Sequence, residues 1–187
     1  QPENNYTLQI GCGKTISNAT KITTINNFRS LDVSLNGQGA PLVPIGDLLL
    51  FPEHKYCVNL GGFANISIKK NEKIIAFDIC PANIVLNDIC KELGIEYDSN
   101  GDISRKGKII PTLLQQLNQL DFYIKKAPKS LGREWVEENI LPILKNNNSQ
   151  DLLCTFCEHV AIQIGKFLTD ESALFTGGGV FNSFLME

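Results

Sequence analysis

Two apolar–polar alternating stretches and a third apolar run beginning at Tyr56, a series of amphipathic helical patterns after Asp78, and a strand–glycine–helix unit beginning at Ala173 together predict an α/β fold. Meander, helices, then a strand running into a glycine turn is the order of one lobe of a ribonuclease-H-like fold.

The elements follow in chain order. From Tyr6 to Phe51 the chain reads as irregular and is rich in Gly, Asn, Ser and Pro; Gly37-Gln38-Gly39-Ala40-Pro41 is a stretch where backbone can approach a ligand closely. Val58 and Leu60 mark the first strand. Ala64, Ile66 and Ile68 alternate with Asn65, Ser67 and Lys69 in the second, the pattern of a half-buried strand. A polar turn at Lys70-Asn71-Glu72 leads to Ile74-Ile75-Ala76-Phe77, read as a more fully buried third strand ending at Asp78. Asn83 is read as the cap of a helix with Leu86, Ile89, Cys90 and Leu93 on one face, stopped by Gly94. Lys108 to Leu120 places Ile110, Leu113, Leu114, Leu117 and Leu120 on a stripe. Gly132 to Leu141 predicts a shorter helix limited by Pro142. Ser149 is read as the cap of a long helix with Leu153, Phe156, Val160, Ile164 and Leu168 inward. Ala173-Leu174-Phe175 reads as a short buried strand, followed by Gly177-Gly178-Gly179 and a helix from Phe181 to Glu187.

Composition removes several classes of function. A net charge of -3 leaves no basic footprint, so neither nucleic acid nor an anionic membrane is the expected partner. No apolar run approaches the roughly 20 residues that span a bilayer. Gln1-Pro2-Glu3-Asn4-Asn5 carries neither the basic cluster nor the apolar core of a signal peptide. The six cysteines follow no disulfide framework and predict buried thiols in a reducing, cytoplasmic compartment. Cys154 and Cys157 form a C-x-x-C, but no second pair and no H-x-x-x-H completes a zinc site. Core packing is the expectation there, with no protein metal site.

Two glycine turns could carry chemistry. Gly61-Gly62, between strands, can aim N–H groups at a phosphate or can simply be a hairpin turn needing positive φ. Gly177-Gly178-Gly179, between strand and helix, can clear a surface for a base or ribose, or can serve close strand–helix packing. No Walker loop occurs anywhere in the chain. Arg29 and Asp32 precede the Gly37–Pro41 stretch, where the carboxylate could act as a general base or belong to a surface pair. Asp78, at a strand end, could contact a ligand or magnesium-bound water, or cap the turn at Pro81. Arg133 and Glu134 could line a cleft or cap their helix.

Taken together and in order, Leu8-Gln9-Ile10-Gly11, Phe28-Arg29-Ser30-Leu31-Asp32-Val33, Gly37-Gln38-Gly39-Ala40-Pro41-Leu42-Val43-Pro44, Asn59-Leu60-Gly61-Gly62-Phe63-Ala64-Asn65-Ile66-Ser67, Phe77-Asp78, Pro128-Lys129-Ser130 with Gly132-Arg133-Glu134, and Gly177-Gly178-Gly179 with Asn182 resemble the anhydro-N-acetylmuramic acid kinases of the actin, hexokinase and Hsp70 ATPase superfamily. The resemblance implies an actin-like ATPase lobe with part of a second lobe: residues 1–55 as the remainder of an N-terminal, sugar-site lobe, and 56–187 as a nucleotide-binding lobe incomplete at its C-terminus. It implies ATP and Mg2+ as cofactors, an amino sugar of peptidoglycan turnover as substrate, and a homodimer. The reaction it implies opens the internal 1,6-anhydro bridge with water and phosphorylates O6. By position, Asp32 would activate the water. Arg29, Gln38 and Gly39 would hold the sugar, and Gly61, Gly62, Asn65, Asp78, Gly177, Gly178 and Gly179 would line the nucleotide side.

The chain departs from the family pattern in places. Asp78-Ile79-Cys80-Pro81-Ala82-Asn83 stands where the family reads Asp-Thr-Gly-Pro-Gly-Asn, Asn27 where an Asp is usual, Ser130-Leu131-Gly132 where it reads Ser-Thr-Gly, and Val180-Phe181 where it reads Ala-His. The family's upstream glycine- and serine-rich phosphate loop is not in this sequence, and the helix after the glycine triplet breaks off, so the piece alone is expected to be inactive. A non-catalytic relative of the same fold and an acyl-phosphate kinase of the superfamily are the alternatives.

Overall fold

The computed structural model describes residues 11–37, 39, 42–71, 73–145 and 147–187. By its contacts the chain divides into two units, Gln1–Val43 and Pro44–Glu187.

The first unit is helical where the sequence predicts irregular chain. Helix α1 spans Gly13–Thr20 and closes on Lys21 in the left-handed region, whose N–H donates to the Ser17 carbonyl at 2.8 Å. Helix α2, Phe28–Ser34, is entered through Asn27 and left through Asn36, both at φ 66°. Helices of eight and seven residues are too short to show a sustained period, and asparagine tolerates the left-handed conformation that punctuates α2. The polar residues that read as loop are the helix ends.

The second unit opens with helix α3, Pro44–Leu50, again in a segment read as irregular; Asp47 Oδ2 accepts a bond from Ser67 Oγ at 2.6 Å. Strands β1 (Tyr56–Leu60), β2 (Phe63–Lys70), β3 (Lys73–Pro81) and β4 (Ala173–Thr176) form one sheet in the order β3-β2-β1-β4. β2 is antiparallel to both β1 and β3, and β4 runs parallel to β1. These are the order and directions expected of a ribonuclease-H-like lobe.

Two strand readings need correction. β3 continues past Asp78 to Pro81, and its first half is not buried, Ile75 being 47% exposed. β3 lies at one end of the strand order, so its early residues have sheet on one side alone. A register shift between Ala64 and Asn65 leaves Ile79 as an extra, buried residue. β4, at the other end of the order, is half-buried rather than buried.

The core lies on the sheet face bearing Val58, Leu60, Ile66 and Phe77. Helices α4 (Asn83–Glu92), α5 (Pro111–Asn118) and α8 (Ser149–Gly165) supply its other side through Val85, Leu86 and Ile89, Leu113 and Leu117, and Leu153, Phe156 and Val160. Gly94 ends α4 at φ 74°, as its position predicts. Pro142 does not stop the chain's helical course. Helix α6 (Arg133–Asn139) breaks at Ile140, and α7 (Leu141–Leu144) restarts with the proline in its first turn, where the missing N–H costs nothing. Asn148, not Ser149, caps α8, its Oδ1 accepting from the N–H groups of Gln150 and Asp151. After β4 the chain makes a 3-10 turn at Gly178–Phe181 and enters α9, Ser183–Met186.

Cys57, Cys80, Cys90, Cys154 and Cys157 are buried thiols, and Cys154 and Cys157 pack within α8's inner side. Cys12 is exposed, contrary to the sequence reading. No helix among the described residues is long and apolar enough to cross a membrane.

His159 is fully buried on α8. Its Nδ1 and the Gln163 amide both meet Asn118 Oδ1, at 2.8 and 2.6 Å, and its Nε2 meets the Tyr123 hydroxyl at 2.8 Å. An amide oxygen only accepts, so Nδ1 carries the proton and Nε2 accepts from Tyr123. Burial, reinforced by the nearby Lys166 charge, pushes the imidazole pKa down to about 3. The unfolded chain takes up this proton near pH 6.5 and the folded chain does not. Stability is therefore complete above pH 6.5 and falls as pH drops toward 3, by about 1.4 kcal/mol per pH unit from this group. In urea unfolding between pH 4 and 7, His159→Gln is expected to flatten that slope relative to the parent protein. An unchanged slope would show that His159 does not drive it.

Candidate functional site

Within the first unit, α2 places Arg29 and Asp32 one turn apart, and the chain after the helix folds back onto them. The Gly39 N–H donates to Asp32 Oδ2 at 2.7 Å, and Arg29 Nη1 donates to the Gly39 carbonyl. The two side chains thus grip opposite ends of one residue rather than pairing with each other. Gly39 sits at φ 70°, and a Cβ at Gly37 would lie 2.2 Å from the Asp32 carboxylate. Arg29, Asp32 and Gly39 are therefore one cluster. Gln38, and the Leu8-Gln9-Ile10 and Ala40-Pro41 parts of the motif, lie outside the described residues.

In the second unit both glycine turns meet at the same end of the sheet. Gly61-Gly62 joins β1 to β2, and neither glycine has positive φ, which removes the hairpin explanation for them. A Cβ on Gly62 would find its nearest neighbour at an ordinary 3.7 Å, and one on Gly61 would touch the movable Asn59 amide at 3.3 Å. The fold therefore does not need glycine at either place. Their carbonyls accept from the N–H groups of Ala82, Asn83 and Ile84 at the start of α4, while among the described residues no hydrogen bond engages the N–H of Gly61 or Gly62. Two adjacent backbone donors without an internal acceptor are a concavity suited to an anion.

The triplet divides into two kinds of glycine. Gly177, at φ 87°, would bring a Cβ within 2.8 Å of Leu60 backbone atoms, and Gly179 would bring one within 2.7 Å of Leu60 Cβ. Close packing of the two turns demands those two glycines. A Cβ on Gly178 would meet nothing nearer than Asn83 Nδ2 at 3.9 Å. Gly178 is exposed and lies on the wall of a cleft of about 460 Å³, together with Asn83, Asn87, Tyr97, Phe181 and Asn182.

A polar row borders the turns. Thr176, Asn59, Asn65 and Asp78 are partners across β4, β1, β2 and β3, so the last three project from one side of the antiparallel strands, away from the Val58–Ile66 core face. Asp78 Oδ2 accepts from the Leu131 N–H at 2.8 Å, and the Asp78 N–H donates to the Lys129 carbonyl at 3.0 Å. Burial raises the Asp78 carboxyl pKa, with the Leu131 bond opposing it. Lys129 in turn is buried, donates to the Phe122 carbonyl at 3.1 Å and lies 4.4 Å from that ring's centre. Arg133 forms ion pairs with Asp88 and Glu137, at 2.7 and 2.9 Å, on the surface.

Sequence reasoning missed the cleft walls at Asn87, Tyr97 and Ser99, and it read Asn83 as a helix cap. Ala82 takes the cap position, and Asn83 Nδ2 instead donates to the Leu60 carbonyl at 3.1 Å, tying α4 to the strand end beneath both turns. The available signal was the turn composition of Asp98-Ser99-Asn100-Gly101, where Asn100 and Gly101 take positive φ.

Among the described residues no group of three or more His, Cys, Asp or Glu side chains is placed to hold a metal ion. Magnesium that arrives on a triphosphate needs one or two carboxylates beside phosphate oxygens and water, and Asp78 retains one oxygen outside the Leu131 bond.

Comparison with known proteins adds a family. The model of the anhydro-N-acetylmuramic acid kinases matches residues 1–187. Proteins of that name from Pseudomonas fluorescens and Pseudomonas syringae are 36% and 34% identical, each match covering 100% of this chain and 55% of the relative. One from Bacillus cereus is 32% identical over 97% of this chain and 52% of its own length. The chain spans about half the length of the curated relatives it matches. Among solved structures, the activator of the 2-hydroxyisocaproyl-CoA dehydratase from Clostridium difficile, with bound ADPNP, is similar at 16% identity and a TM-score of 0.45, over 76% of this chain and 52% of that one.

Proposed function

The chain belongs to the anhydro-N-acetylmuramic acid kinase family, and from that premise we propose that the full-length protein is an ATP-dependent sugar kinase. It opens 1,6-anhydro-N-acetylmuramic acid with water and phosphorylates the released O6, giving N-acetylmuramic acid 6-phosphate in the cytoplasm. The observation that carries the nucleotide half of this reading is the junction at Leu60, where two unengaged backbone N–H groups at Gly61 and Gly62 adjoin the cleft walled by Gly178.

The proposed roles follow the residues. Asp32 takes a proton from the water that attacks the anomeric carbon. The bond from that carbon to O6 breaks, and O6 becomes bonded to the γ-phosphorus as ADP leaves. Arg29, Gln38 and Gly39 hold the sugar; the Arg29 and Asp32 grip on Gly39 sets the shape of that segment before substrate arrives. Gly61 and Gly62 donate to phosphate oxygens, where fixed donors act without reorganising. Asn65 and Asp78 face the same ligand along the polar row. Gly177 and Gly179 hold the turn, and Gly178 leaves room for the nucleoside. Mg2+ on the phosphates supplies neutralisation of the charge that develops during transfer.

This half-length chain alone is proposed not to turn over, and a homodimer is carried as part of the same reading. The test is transfer of radiolabelled γ-phosphate from ATP to the anhydro sugar by the full-length protein. Product phosphorylated at O6, with ring-opening by solvent oxygen, is the expected result; no transfer to that sugar sinks the proposal.

A further inference from the structure

Residues 129–132 have no regular secondary structure, yet they flank β3 at Asp78. β3 ends the strand order, and the Asp78 N–H finds its acceptor outside the sheet, at the Lys129 carbonyl 3.0 Å away. Two residues on, the Leu131 N–H donates to Asp78 Oδ2 at 2.8 Å. The direction of the Asp78 carboxylate is therefore set by where the backbone of Leu131 lies. A segment held by two hydrogen bonds opens readily unless a further contact anchors it.

The anchor is the side chain of Lys129. This residue is 8% exposed, and among the described residues its ammonium has a single hydrogen-bond acceptor, the Phe122 carbonyl at 3.1 Å. The ammonium lies 4.4 Å from the centre of the Phe122 ring and 5.9 Å from that of Phe167. Phe167 packs edge-on against Phe77 with ring centres 5.0 Å apart, so the box around the ammonium is tied to the residue next to Asp78. Burying a cation with one acceptor is costly, and methionine or leucine would fill the same space at less cost. What the ammonium adds is direction. One carbonyl and two ring faces fix where its end must sit, whereas an apolar end can slide.

We propose that Lys129 is a positioning residue for phosphate transfer: seated between Phe122 and Phe167, it fixes residues 129–131 along β3 and so turns the Asp78 carboxylate to bind Leu131 with one oxygen and leave the other open to ligand. The proposal rests on the kinase reading and deepens it, adding a residue that touches neither sugar nor nucleotide. Removing the ammonium leaves the fold and loosens the carboxylate, and a small displacement near the reacting atoms costs up to about a hundredfold in rate.

Lys129→Met and Lys129→Leu in the full-length protein, each made also in an Asp78→Ala background, test this. In the ligand-free protein, amide exchange at Leu131 is expected to quicken by about tenfold or more, while the melting temperature does not fall because a buried charge has gone. Transfer from ATP to the anhydro sugar should slow in kcat by about tenfold to a hundredfold, with the KM for the sugar unchanged. In the Asp78→Ala background the same substitutions should change kcat by less than about twofold, because the carboxylate they act through is absent. Leu131 exchange and kcat equal to the parent's in both variants, or a loss of kcat as large without Asp78 as with it, overturns the proposal and leaves the kinase reading standing. No transfer by the parent overturns the kinase reading, and Leu131 exchange alone then decides whether Lys129 holds Asp78.

Discussion

Asp32→Asn in the full-length protein is expected to lower turnover of the anhydro sugar by about a thousandfold or more while leaving ATP affinity within about twofold. The magnitude is that of losing the general base proposed at Asp32, typically 10² to 10⁴. The choice of asparagine separates chemistry from architecture. Asp32 Oδ2 accepts from the Gly39 N–H at 2.7 Å, and the Asn carbonyl can accept the same bond, so Gly39 keeps its partner. The tight approach of Gly37 to this side chain is likewise met by an isosteric group. What asparagine cannot do is take a proton from water. Asp32→Ala would confound the two effects, since Gly39 would lose its acceptor as well. Initial rates across ATP concentration at saturating sugar settle the matter: kcat should fall with little change in the KM for ATP. Turnover that survives Asp32→Asn would reduce this residue to a support for the Gly39 turn.

Legibility in the sequence followed the range of the forces involved. The first two strands were readable because burial on one side of a strand imprints an alternation, and α8 because its apolar residues recur over 17 residues, although Leu152 to Cys157 are all buried. Helices α1, α2 and α3 were not, because two turns of helix leave too few repeats, and the asparagines flanking α2 read as loop. The exposed start of β3 was missed because an apolar run cannot say whether its strand is central or terminal in the sheet; Ile75 looks like core from sequence and is half exposed. At the site, the glycines and Asp32 were visible as residue types. Their division of labour was not, because it depends on which backbone atoms come near from far along the chain. Leu60, more than a hundred positions before Gly179, decides what Gly179 is for. The cleft walls at Asn87 and Tyr97 carry no residue-level mark of function at all, and only their convergence with Phe181 around a cavity singles them out.

That division of labour among the glycines makes the second large expectation. Gly177→Ala and Gly179→Ala should each lower folding stability by about 2–4 kcal/mol. At Gly177 the new methyl faces backbone atoms of Leu60 within 2.8 Å at a φ of 87°, and backbone cannot swing aside as a long side chain can. At Gly179 the obstacle is Leu60 Cβ, 2.7 Å away on a strand fixed by pairing on both sides. Gly62→Ala and Gly178→Ala should leave the unfolding midpoint almost unchanged, because a methyl there finds space. The same two substitutions put a methyl into the surface where the proposed phosphate and nucleoside lie, and ATP binding should weaken by about tenfold or more. Stability and affinity are thus expected to separate cleanly between neighbours in one triplet. Chemical denaturation and nucleotide titration on the four variants read the two quantities independently. Gly62→Ala and Gly178→Ala proteins that bind ATP as the parent does would leave those bare positions without a ligand to explain them. A Gly177→Ala protein as stable as the parent would mean that the turn has another conformation available, and the packing argument at Leu60 would fail with it.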